Sequence, residues 1–124
     1  MASDSSLKIA FSLSGDRKDI YSVVEKVFWK EKDVVPNAVA LLTYIRDWSN
    51  TSSPHLAQDW MKYCRKTGIT QSQYHTILKR LRLAGMIEKK YNKELGAHTI
   101  TISALYPENL RQTAETYEKF IRNI

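Results

Sequence analysis

The sequence predicts a mainly α fold with one small β-hairpin, an α+β architecture in a single domain. Three observations predict it. Apolar residues recur at helical spacing along most of the chain. Near the middle, Thr67-Gly68-Ile69-Thr70 interrupts that pattern only briefly, as a tight turn between two helices does. Beyond it, residues 86–91 and 97–103 read as strands joined by the turn-forming run Asn92-Lys93-Glu94-Leu95-Gly96. A chain of 124 residues is long enough for one domain with a substantial core. No internal repeat, low-complexity segment or second domain boundary is visible.

Taken in order, residues 1–6 lack the basic start and apolar core of a secretory signal and are expected to form a disordered tail. An N-terminal extension, 7–35, follows. In it Leu7, Ile9, Phe11 and Leu13 alternate with polar or small residues as a strand would, up to Gly15. That strand either joins the hairpin or pairs with its symmetry mate. Asp16 and Asp19 are placed to cap a helix whose stripe is Ile20, Val23, Val24, Val27 and Phe28, with Trp29 at its end. Lys30-Glu31-Lys32-Asp33 is a charged connector.

The core, 36–103, opens at Pro36, which suits a first helical turn. Ala38, Leu41, Leu42, Ile45 and Trp48 form the next buried stripe. Residues 49–54 are polar and turn-rich, and Ser53-Pro54 reads as the N-cap and first position of another helix. Leu56, Ala57, Trp60, Met61 and Cys64 supply its apolar face. Gly68 suits the positive φ of a chain leaving a helix. Thr70 and Gln73 fit a capping box, and Ile69 and Tyr74 fit the hydrophobic staple of the same cap. Tyr74, Ile77, Leu78 and Leu81 then follow one another at i, i+3, i+4, i+7, and Gly85 ends the helix. In the second strand the apolar–polar alternation runs through His98, Ile100 and Ile102. Leu105-Tyr106-Pro107 breaks the strand pattern. A last helix, from Glu108, carries Leu110, Ala114, Tyr117, Ile121 and Ile124 in a narrow heptad-like seam, with Phe120 beside it.

The chemistry concentrates in the central helix and the hairpin. The other face of helix 70–84 carries Gln71, Gln73, His75, Thr76, Lys79, Arg80 and Arg82. No acidic residue occurs between Asp59 and Glu88, while Lys62, Arg65, Lys66, Lys79, Arg80 and Arg82 all do. Such a face offers donors to base edges and phosphates without repulsion. Lys89, Lys90 and Lys93 make the hairpin basic as well. Helix, turn, helix and basic hairpin in that order predict a winged helix-turn-helix with an extra N-terminal strand and helix and a C-terminal helix. Thr70, Gln71, Gln73, His75, Thr76 and Arg80 are the expected groove contacts, and Lys79, Lys89, Lys90 and Lys93 the expected phosphate contacts. The structural alternative is a solvated helix face.

The segment from Gly68 to Ser103 resembles the winged-helix cores of MarR-like and PadR-like transcriptional regulators. Thr70, Tyr74, Ile77, Leu78, Leu81, Gly85, Met86 and Ile87 stand where those families place a small-polar helix start, an apolar stripe, a glycine and an apolar pair. The resemblance implies sequence-specific binding of double-stranded DNA and transcription regulation. It also implies a homodimer joined by the terminal helix through Leu110, Ala114, Tyr117, Ile121 and Ile124. The bland alternative for that helix is packing on its own domain.

Composition bounds the remainder. A net charge of +6 and a pI near 9.5 favour an anionic partner. One cysteine, Cys64, excludes an intrachain disulfide and fits a reducing cytoplasm, with nucleoid association if the chain is prokaryotic. His55, His75 and His98 have no zinc-motif spacing, and the glycines are isolated, so no metal, cofactor or catalytic site is expected. Trp29, Trp48 and Trp60 are expected in the core rather than around an effector. Single-stranded RNA is disfavoured because the helix face lacks stacking aromatics. Two other functions fit the same pattern: a DNA-replication or plasmid-partition adaptor, and a protein-interaction winged helix that reads no bases.

Overall fold

The computed structural model describes residues 19–123. Its helices are α1 (Ile20–Val27), α2 (Val35–Ser49), α3 (Trp60–Thr67), α4 (Gln71–Leu83) and α5 (Leu105–Arg122). Its strands are β1 (His55–Leu56), β2 (Ile87–Asn92) and β3 (Ala97–Ile102), in one antiparallel sheet of order β1-β3-β2. The fold is α+β, mainly helical with a small three-stranded sheet. The expected strand at 7–14, Asp16 and Ile124 lie outside the described residues.

Local chemistry places most helix ends. Asp19 caps α1, its carboxylate accepting from Ser22 N at 3.1 Å. Gly68 sits at φ +82°, and its N–H donates to the Cys64 carbonyl at 2.8 Å, closing α3 in the left-handed manner. Thr70 Oγ1 accepts from Gln73 N at 3.1 Å and opens α4 two residues later. Gly85 turns the chain out of α4 at φ +82°. A Cβ there would meet Leu105 Cβ and Tyr106 N at 3.0 Å, so close approach as well as backbone angle requires glycine.

The core forms where α1, α2 and α4 meet the inward face of the sheet. Val24, Val27, Phe28, Ala38, Leu41, Ile45, Tyr74, Ile77, Leu81 and Ile100 are fully buried in one cluster. Each large side chain among them contributes about 1.5–3 kcal/mol by leaving water. Ser49 ties α2 to the sheet: its hydroxyl donates to the Ile45 carbonyl at 2.6 Å and accepts from Ile102 N at 2.9 Å.

Several expectations are corrected. Ser53-Pro54 does not start a helix; the chain first pairs His55 with Ile100 and Leu56 with Thr99, then makes a 3-10 turn, and α3 begins only at Trp60. Pairing β3 on its second edge satisfies backbone groups that a helix start there would leave bare. Among the described residues, β1 is therefore the sheet's third strand. The residues sharing a face of β3 are not all inward: Ile100 is buried, but His98 is exposed and Ile102 is 39% exposed at the sheet's end. Helix α5 begins at Leu105 rather than Glu108, because Pro107 falls in the first turn, where a missing N–H costs nothing. Ile20, Trp29, Trp48 and Met61 are exposed and Trp60 half-buried, so the apolar stripes are narrower than the spacing alone suggests.

Candidate nucleic-acid interface

Helix α4 is held from behind by an aromatic cluster. Tyr74, fully buried, packs against Tyr63 with ring centroids 5.7 Å apart. Its hydroxyl lies 2.7 Å from His55 Nε2, in a hydrogen bond joining α4 to β1. Burial holds the His55 imidazole below its usual pKa, outweighing the opposite pull of Asp59, and burial pushes the Tyr74 phenol far above its own. Both groups are thus neutral near pH 7. This anchoring fixes which side of α4 faces solvent.

That side presents Gln71, Ser72, His75, Thr76, Lys79 and Arg82, all exposed. His75 Nδ1 donates to the Gln71 carbonyl at 3.0 Å, and its ring stands edge-on to Trp60, 5.4 Å between centroids. Thr70 is exposed but engaged as the cap. His75, Lys79 and Arg82 recur at i, i+4, i+7 and form one wall of a groove of about 400 Å³ between α4 and the hairpin; Lys89 lines it from β2. Register explains the convergence. Lys89 pairs with Ile100 and Ile87 with Ile102, so Lys89 shares the inward sheet face and emerges beside α4. Among the described residues, no carboxylate lies within ion-pair distance of Lys79, Arg82 or Lys89.

Three expected contacts are placed elsewhere. Arg80 does not lie opposite the buried stripe. It sits on the α1 side of α4, with its guanidinium 2.8 Å from Glu31 and 5.7 Å over the Phe28 ring. Gln73 is also on that flank, where its Oε1 accepts from the Asn37 amide of α2. The capping box is accordingly half made: Thr70 receives its bond, while the Gln73 side chain is committed to α2. Lys90 alternates to the face of the hairpin opposite Lys89 and pairs with Glu88 at 3.1 Å. Lys93 is exposed in the hairpin turn. Arg82, omitted from the expected contacts, belongs to the groove; its signal in the sequence was the i+7 spacing from His75.

Two further surfaces stand out. The seam of α5 is uncovered: Leu110 is half-buried, Ala114 exposed, and Tyr117, Phe120 and Ile121 are 63%, 67% and 43% exposed. A cavity of about 490 Å³ lies between α2 and α3, lined by Tyr44, Trp48, His55, Tyr63, Lys62 and Lys66 among others. No such cavity was legible in the sequence, since its walls come from separate elements. Among the described residues, no group of three or more His, Cys, Asp or Glu is arranged to hold a metal, and no helix is long and apolar enough to cross a membrane. The comparisons with known proteins yield nothing to set beside this geometry: no protein family, curated protein or solved structure matches the chain.

Proposed function

We propose that this chain binds double-stranded DNA in a sequence-specific manner, as a homodimeric transcriptional regulator of the winged helix-turn-helix kind related to MarR-like and PadR-like proteins. The observation that carries the proposal is the groove between α4 and the hairpin, where Lys79, Arg82 and Lys89 converge without a carboxylate partner among the described residues. Cations so grouped suit the closely spaced phosphates of a duplex. The exposed Gln71, His75 and Thr76 beside them supply donors and acceptors suited to base edges. In this proposal α3 braces α4, the hairpin is the wing, and regulation works by occupancy of a pseudo-palindromic site. The uncovered α5 seam would join two copies, so that two α4 helices meet successive half-sites. No enzymatic step, metal or cofactor enters the proposal, and it places the protein in the cytoplasm.

The same α5 face equally favours an adaptor that binds DNA through α4 and a replication or partition partner through α5. A protein-interaction domain that reads no bases is the remaining alternative.

The test is fluorescence anisotropy on a random duplex over a salt series, followed by selection from a random duplex pool. Affinity should fall steeply with salt, with each phosphate contact adding about 0.9 to the log–log slope. Lys79→Gln, Arg82→Gln and Lys89→Gln should each lower that slope by about one such share, and the pool should converge on a motif. Affinity that is flat in salt would end the DNA proposal; steep affinity without a motif would make the protein a non-specific binder.

A further inference from the structure

Among the described residues, Arg80 is the one cation of α4 that the fold pairs with a carboxylate. Its planar guanidinium lies over the fully buried Phe28 ring at the end of α1 and 2.8 Å from the Glu31 carboxylate in the connector that follows. About two helical turns earlier on the same flank, Gln73 is bonded to Asn37 of α2. Arg80 and Glu31 are both partly open to water, with side chains 28% and 43% exposed. The contacting Glu31 Oε1 is itself buried and receives the charge without an aligned hydrogen bond. A phosphate, like a carboxylate, offers a guanidinium two oxygens that can accept from it side by side.

We propose that Glu31 masks Arg80, holding its charge on the α1 side of α4 and so keeping one cation out of the phosphate-binding set. The inference rests on the DNA-binding proposal above and adds a residue that sets selectivity. A phosphate contact raises affinity for every sequence alike. Withholding one lowers the non-specific background against which base contacts are read. Glu31 lies outside the recognition helix and the hairpin, so no pattern within those elements points to it.

The experiment compares wild type, Glu31→Gln, Arg80→Gln and the double variant on random duplex between 50 and 200 mM salt, roughly the range over which phosphate contacts are weighed. Glu31→Gln should steepen the log–log slope by about 0.9, so that its advantage over wild type shrinks about 3.5-fold across that range. Arg80→Gln should keep the wild-type slope, and so should the double variant. If Arg80→Gln melts early, Arg80→Met, which keeps an apolar stem over Phe28, takes its place. An unchanged slope for Glu31→Gln overturns the inference. So does a gain that persists in the double variant, because removal of any negative charge would then account for it. Absence of salt-dependent binding by the wild type overturns the DNA-binding proposal and this inference with it, an outcome distinct from the other two.

Discussion

Replacing Tyr74 with Phe tests the anchoring of α4 at a single bond. The ring is fully buried and packs against Tyr63, His55 and His75, and Phe preserves that packing. Only the hydroxyl is lost, with its 2.7 Å hydrogen bond to His55 Nε2. His55 is 4% exposed, so little of its ring reaches solvent. Leaving a buried polar atom without its partner costs about 1–3 kcal/mol, more than the bond's net worth when both groups are present. For a loss of about 2 kcal/mol and an m-value of about 2 kcal/mol/M, the urea midpoint should fall by about 1 M with m unchanged. His55→Leu combined with Tyr74→Phe should recover part of the loss, because neither polar atom then remains alone. The pH dependence carries the same signature. The folded His55 pKa lies below the ordinary imidazole value of about 6.5, so the unfolded chain binds the proton first. Stability should therefore be full above about pH 6.5 and fall as pH drops from there toward the folded pKa, by at most about 1.4 kcal/mol per pH unit. His55→Leu should flatten that decline. A Tyr74→Phe midpoint equal to wild type, or strictly additive losses in the double variant, would show that this bond does not anchor α4.

The turn out of α4 and the terminal helix make two further predictions. Gly96→Ala meets open space and only a positive φ of 65°, so it should cost about 1–2 kcal/mol. Gly85→Ala adds a Cβ 3.0 Å from Leu105 and from the Tyr106 backbone, so its urea midpoint should fall further; equal losses would mean that α5 is free to shift away. Tyr117→Ser with Phe120→Ser should abolish self-association in light scattering while leaving the monomer's melting temperature nearly unchanged, because both side chains are more than 60% exposed in the single chain. Wild-type protein that is monomeric at high concentration would remove the dimer from the proposed function.

The sequence by itself determined the features that depend on neighbours a few residues away. The cap at Thr70, the positive φ of Gly68 and the stripe of Tyr74, Ile77 and Leu81 are interactions within about one or two turns, and each is legible as a spacing. The two strands of the hairpin are legible for the same reason: their turn lies between them. Tertiary structure decided what depends on partners far along the chain. The strand at His55 exists because β3 has a second edge to fill, 45 residues later. Helical spacing shows which residues avoid the core but not which of two flanks meets a neighbour, so Arg80 and Gln73 went to α1 and α2 while Lys79 and Arg82 remained on the groove side. Lys89 and Lys90 differ by one position, and only pairing with Ile100 and Thr99 determines which of them turns toward α4. The seam of α5 is periodic in the sequence, but whether its own domain covers it is settled by where the turn at Gly85 and Leu105 directs the helix, and that turn leaves residues 111–123 exposed.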